Sequence, residues 1–368
     1  MKQRKIKEYI PLGALVLFIV AVGALAVHIT SEISQTFSDF FNRYIGSAVR
    51  GVLATITSVF PFSLAETVII FIPVLCIVLV VPCVKRTRAS VKSGIRYVVS
   101  MAAALSLMYS LFVFTTAVGY NGTPLGDKLG LDACAVSVDE LRVSAEYMIG
   151  KMNSELAHVS YTYGDASVMP YSLGRMNTLL LEAYGKAAEK YSFIPRLYSS
   201  LKPVALSEAM TYTHISGMYT YYTGEANLNI NFPDYTLPFT AAHELAHQRG
   251  ILPENEANFV AFLVCAESDD PYIRYSGYLN MYEYINSALH SADYDTFAQV
   301  YDSLDNRVKG EIVAYNRFFE KYRENTVADV AGAMNDTYLK SQGVEAGKKS
   351  YGMVVDLAVA YVNSILCE

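Results

Sequence analysis

The stretch Ala241-Ala242-His243-Glu244-Leu245-Ala246-His247-Gln248-Arg249-Gly250, continued by Ile251-Leu252-Pro253-Glu254-Asn255-Glu256-Ala257-Asn258, contains the pattern H-E-x-x-H and decides how the chain is read. Side chains four residues apart share one face of a helix, so His243 and His247 can turn a ring nitrogen toward one Zn²⁺ at about 2.0–2.1 Å. Glu244, one step round, is placed as general base toward a metal-activated water. The pattern would arise by accident in about one chain in a hundred of this length, so its surroundings matter. Thr240 to Ala242, Leu245 and Ala246 sustain a helix and Gly250 stands where it would stop.

Catalytic zinc needs a third protein ligand. Position 253, which would carry a third histidine in the extended H-E-x-x-H-x-x-G-x-x-H form, is Pro253, and that excludes this arrangement. Pro253 instead suits the first position of a second helix bearing Glu254, Glu256 and Asn258 ahead of Phe259, Val260, Phe262, Leu263 and Val264. Glu254 and Asn258 share a face; Glu256 lies about 200° round. Both glutamates stay open as ligands on the residues alone.

Glu254-x-x-Ala257-Asn258 resembles the E-x-x-A-[D/N] element that accompanies H-E-x-x-H in gluzincin-type metallopeptidases. The resemblance implies that Glu254 binds zinc and that Asn258 steadies a ligand, although the gap from His247 is shorter than those peptidases use. A broader likeness covers nearly the whole chain. Ser216-Gly217-Met218-Tyr219, Gly224 to Asn229, Leu237-Pro238, Asn335-Asp336-x-Tyr338-Leu339-Lys340 and Ser350-Tyr351-Gly352 are similar to the DUF3810 family of bacterial membrane proteins, named for its unknown function.

In 368 residues, 52% are hydrophobic and only 17% charged, and the apolar excess lies at the front. Three spans are expected, at about 10–29, 67–84 and 97–118, the second kinked by Pro73 and Pro82. Ala24-Leu25-Ala26 also permits the alternative of a cleaved signal peptide. The segment 31–63 reads as a loop followed by a surface helix over Val52 to Phe62. Lys2, Arg4, Lys5 and Lys7, and then Lys85, Arg86, Arg88, Lys92 and Arg96, fall on one side of such a membrane, which makes them cytoplasmic. The expectation is a multi-pass plasma-membrane protein with a membrane domain, 1–118, and an extracytoplasmic domain, 119–368. Residues 1–118 carry 11 Lys and Arg against 4 Asp and Glu, and the remainder 18 against 31. So acidic an exterior excludes nucleic acid as a partner; the bilayer and a peptide or protein substrate are expected. Cys76, Cys83, Cys134, Cys265 and Cys367 have neither disulfide-framework nor zinc spacing and read as apolar fillers.

The exterior part reads as mainly α, a helical zincin-like domain with a small sheet. Ser137 and Glu140 form a capping box opening a helix to about His158. Further helices are expected at 174–191, 271–289, 293–307, 309–323 and 347–365, and strand between Tyr212 and Phe232. Gly224, Ala226, Asn227 and Asn229 in that strand suit an edge to which an extended substrate adds, or else a sheet that only shields the motif helix. His214 and His290, and the tyrosines at 275, 278, 282, 284 and 351, are candidates to steady an oxyanion. A zinc peptidase is the leading expectation. A membrane-anchored binding protein with structural zinc and a zinc amidase acting on cell-wall or lipid amides are the alternatives.

Overall fold

A computed structural model describes residues 9–131, 136–162, 166–323 and 325–367. Lys2, Arg4, Lys5, Lys7 and Cys134 lie outside the described residues, as does the side chain of Tyr351. The chain is mainly helical with a small sheet, as expected, and divides into two units. The first is Met1–Gly122 with Thr220–Glu225, the second Thr123–Tyr219 with Ala226–Glu368. The division falls close to residue 118, but a short turn a hundred residues later joins the first unit.

In the first unit, helix α1 (Leu12–Ile33) packs on a long helix running from Val91, of which α4 is Val91–Thr115. Ala24, Phe41, Val113 and Val118 form the shared core. Outward faces stay apolar, with Leu12 76% and Leu105 69% exposed, as lipid-facing surfaces require. These two helices, counted as Leu12–Ile33 and Val91–Asn121, are long and apolar enough to cross a membrane. The expected span at 67–84 is a bent pair, α2 (Leu64–Ile70) and α3 (Ile72–Ala89), meeting at 62°. Pro73, just inside α3, has no N–H for the carbonyl of Ile69, and the ladder breaks there. The count is therefore two spans, or three if the bent pair is one. The expected loop after Ser31 is helical: Ser34 caps a new helix at the amide of Phe37, and helical backbone continues to Ser58. Arg50 is buried, donating to the carbonyls of Asn42 at 2.9 Å and Thr115 at 3.2 Å.

The second unit opens with α5 (Leu125–Leu129) and the capping-box helix α6 (Val138–Glu155), where Ser137 and Glu140 satisfy each other's backbone as read. Helix α7 (Leu173–Lys190) follows, buried along Met176, Leu179, Leu180, Ala183 and Ala187. Strands β1 (Ser160–Tyr161) and β2 (Ser167–Val168) make an antiparallel ladder; β3 (Lys202–Pro203), β4 (Gly217–Thr220) and β5 (Glu225–Leu228) make a three-stranded sheet ordered β3-β5-β4. Beyond them lie α8 (Thr236–Gln248), α9 (Glu254–Ala266) and α10 (Pro271–Ala292), then α11 (Asn306–Glu320), α12 (Thr326–Ser341) and α13 (Val354–Cys367). Helix α12 was not expected, and the helix placed at 347–365 begins as a 3₁₀ turn over Gly347–Met353. The core is built where α10 crosses α6 and α9, around Met148, Met152, Phe259, Phe262 and Leu279. A two-pronged bond from Arg274 to Glu155 at 2.7 Å fixes α10 on α6.

Candidate metal centre and its cleft

Every residue of α8 is buried, so each polar side chain it carries must find a partner inside the protein. The helix is held at several points. Ser276 on α10 accepts from the amide of Phe239, the Tyr184 hydroxyl donates to the carbonyl of Ala242, and Arg249 stacks over the Tyr184 ring while donating to the carbonyl of Leu245. Gly250, at φ +88°, makes the left-handed turn that ends α8, and the amide of Ile251 closes back on the carbonyl of Ala246. Pro253 is the cap of α9 rather than its first residue, so the chain reverses within five residues and Glu254 opens the next helix beneath the histidines.

The reversal brings three ligand atoms together. Glu254 Oε2 lies 3.2 Å from His243 Nε2 and 3.4 Å from His247 Nε2, and all three groups are largely buried. His247 Nδ1 lies 2.8 Å from the carbonyl oxygen of Ile251, an atom that can only accept, so the ring's proton is on Nδ1 and the lone pair of Nε2 faces the cluster. Glu254 Oε2 makes no well-aligned hydrogen bond although two nitrogens approach it. Ligands set tetrahedrally at about 2.0–2.1 Å from zinc lie about 3.3–3.4 Å from one another. The spacing, the nitrogen–nitrogen–oxygen donor set and the unsatisfied oxygen fit a zinc ion. Burial alone would raise the Glu254 carboxyl, but His247 and His243 hold it far below the carboxylate range, so the cluster presents an anionic oxygen.

Glu244 stands beside this cluster. Burial raises its pKa, against the opposing pull of both histidines and the amide of Tyr219, which donates to the carboxylate from β4. Its Oε2 is buried with no hydrogen-bond partner. The contact with β4 needs a glycine, since a Cβ on Gly217 would stand 2.5 Å from Glu244 Oε1 and 2.6 Å from Cγ. Beyond lies a cleft of about 400 Å³, walled by His243, Glu244 and Asn258, by the segment Thr213–Gly217 and by one face each of α10 and α12.

Each residue singled out in the sequence can now be located. Glu256, the other ligand candidate, turns away and accepts the amide of Leu125 at 2.8 Å, capping α5. Asn258 is 3% exposed and lines the cleft one turn from Glu254. The four strand residues are not at the edge that faces the cleft. Gly224 makes the hairpin turn at φ +68°, while Ala226 and Asn227 lie on β5, the central strand, and Asn227 ties itself to the carbonyl of Met218. Asn229 is fully buried against Thr211 and the carbonyl of Ile215. The edges are β3 and β4, one on each side of β5, and of the two it is β4 whose Gly217 borders the cleft. His214 lines the cleft in a left-handed conformation, φ 59°, its Nε2 2.7 Å from the carbonyl of Tyr322. His290 packs on Phe297 and is not among the cleft residues. Of the tyrosines 275, 278, 282 and 284, only Tyr284 reaches the cleft, joined by Tyr315.

Glu283 and Asn280 on α10 were missed. With Ser276 they form a polar i, i+4, i+7 stripe on a helix otherwise rich in buried apolar and aromatic residues, which is the signal that was available. Glu283 takes the Tyr235 hydroxyl at 3.2 Å on both oxygens, and burial pushes its carboxyl up to about 7 despite that bond, with Glu311 adding to the rise. Ser216, Gly217 and Asn335, three residues of the segments that carried the broader likeness, all border the same cleft. No curated protein and no solved structure matches the chain. The model of the DUF3810 family, described as a protein of unknown function, matches residues 41–359, and the chain belongs to that family.

Proposed function

We propose that this protein is a membrane-anchored, zinc-dependent peptidase. The observation that carries the reading is the convergence of His243 Nε2 and His247 Nε2 on Glu254 Oε2, at 3.2 and 3.4 Å, beside Glu244, which lines an open cleft. Zn²⁺, when bound, supplies Lewis-acid polarisation of a water and of the scissile carbonyl. The chain's own residues do the rest. Glu244, held by the Tyr219 amide and confined by Gly217, takes a proton from the attacking water on its carboxylate and passes it to the departing amine nitrogen as the peptide bond breaks. Burial raises the affinity of Glu244 for that proton and so suits it to the first transfer. The edge strand β4, whose Gly217 borders the cleft, would receive an extended substrate backbone.

In the same proposal the bent pair is one kinked span, giving three crossings with the N-terminus cytoplasmic and the cleft-bearing unit outside the plasma membrane. The basic residues Lys85, Arg86, Arg88, Lys92 and Arg96 between the second and third apolar stretches support that orientation. The free oxygen of Glu244 favours a hydrolytic centre over a structural one, because structural zinc has no use for a base.

The test compares the purified full-length chain with its Glu244→Gln variant, for metal content and for cleavage of a proteome-derived peptide mixture. The proposal expects about one zinc per chain in both and cleavage only by the wild type. Equal cleavage by both, or wild-type protein without zinc after loading, would refute it.

A further inference from the structure

The cleft has an electrostatic asymmetry that the hydrolytic reading does not use. Its walls hold two carboxylates, Glu244 and Glu283, and among the described residues lining it there is no Lys or Arg. Glu244 belongs to the reacting end. Glu283 is elsewhere: the hydroxyl of Tyr235, at the N-terminal cap of α8, holds both its oxygens, whereas His243 comes eight residues later on that helix. Eight residues of helix rise roughly 12 Å. Asn280, one turn before Glu283 on α10, lines the wall as well; its amide nitrogen is committed to the carbonyl of Ser276. A half-buried carboxylate facing an open cleft, oriented by a neutral hydroxyl rather than by a cation, is costly to keep for packing alone.

Asn258, 3% exposed, lines the same cleft beside the ligand cluster, and its amide is shared with the hydroxyl of Tyr284. The cleft therefore runs from the ligand cluster to a carboxyl group that meets no cation among the described residues, which matches a peptide whose cation reaches Glu283. An extended chain covers roughly 12 Å in about three to four residues.

We propose that Glu283 is a specificity-determining residue that receives an ammonium or guanidinium group of the substrate, about three to four residues from the bond presented to the His243–His247–Glu254 cluster. The inference rests on the peptidase reading for the identity of that bond, and on the cleft alone for the cation. Charge-assisted hydrogen bonds of this kind discriminate a cation from its neutral analogue by about tenfold or more.

The test uses the full-length Glu244→Gln chain in lipid nanodiscs and octapeptide libraries of uncharged residues, N-terminally acetylated, with either Lys or acetyl-lysine at one fixed position. Retained peptides are quantified by mass spectrometry, and a parallel library with a free N-terminus distinguishes a side-chain ammonium from a terminal one. The expected result is at least about tenfold enrichment of the charged over the neutral library, lost in Glu244→Gln/Glu283→Gln and kept in Glu244→Gln/Glu283→Asp. Equal retention of charged and neutral peptides by Glu244→Gln, or a preference that survives removal of the Glu283 charge, overturns the proposal. The first of these comparisons needs no change at Glu283, so a folding defect of that variant does not shield the idea. Wild-type protein incubated with the same libraries separates the two readings: a charge preference in binding without any cleavage refutes the peptidase alone, and cleavage without preference refutes the subsite alone.

Discussion

Two glutamates two residues apart make opposite predictions on substitution. Glu254 contributes the oxygen that lies 3.2 and 3.4 Å from the two imidazole nitrogens, so Glu254→Ala removes one of three ligands and leaves a pair that cannot close a tetrahedral site. Changing a group that only supports a ligand typically costs 10–100-fold in metal affinity, and the loss here should exceed about a hundredfold. Glu256→Ala should leave zinc affinity within about twofold of wild type, because that side chain accepts the Leu125 amide and nothing in the cluster. Its cost appears in stability instead: losing a capping acceptor is worth about 0.5–2 kcal/mol, or a fall of about 2–4 °C in Tm per kcal/mol for a unit of this size. Titration against a chromophoric chelator measures the first quantity and circular dichroism on heating the second. If Glu256→Ala empties the site while Glu254→Ala still binds zinc within tenfold of wild type, the assignment of ligands has been made one helical face out of register.

Three further outcomes follow from particular contacts. Glu283 titrates at about 7 in the folded protein against 4.5 ordinarily, so the stability linked to its protonation is complete below pH 4.5 and is lost as pH rises through 7; Glu283→Gln should change little at pH 4.5 and stabilise by up to about 3 kcal/mol at pH 8, and equal Tm shifts at both pH values would contradict this. Gly217→Ala drives a methyl group into Glu244, and since displacing a catalytic group by about 1 Å costs on the order of a hundredfold in rate, kcat should fall by that factor at unchanged zinc content; a variant as active as wild type would show that Glu244 is not held by β4. A reporter that works only in the cytoplasm, fused after Glu368, should be silent, and strong signal there would reverse the proposed orientation.

The parts of the site that were legible in the sequence are those set by local geometry. His243, Glu244 and His247 lie within two turns of one helix, and the phase of the following helix puts Glu254 and Glu256 on different faces, though only the fold shows which face meets the histidines. What escaped depends on long-range packing. The edge role passed from β5 to β4 because β3, only Lys202–Pro203, pairs in parallel with β5, and two residues leave no periodic trace. Helix α12 escaped because Ala328, Ala331 and Gly332 give too weak an apolar stripe to register, although small side chains are what a helix facing an open cleft requires. Proline marked the kink in the second apolar stretch but could not say whether 62° leaves one span or two. Glu283 is the instructive miss. An acid in a run of buried tyrosines and leucines has little surface to occupy on a helix as apolar as α10, and Ser276, Asn280 and Glu283 fall on one line. Ser276 accepts the amide of Phe239 and donates to the carbonyl of Tyr235, and Asn280 answers to the carbonyl of Ser276. The last member of the line is the acidic one, held by the Tyr235 hydroxyl, and it lines the cleft. A polar stripe on a buried helix is thus to be followed residue by residue, because an acid at its end that is held only by a neutral hydroxyl is the one a cationic ligand would complete.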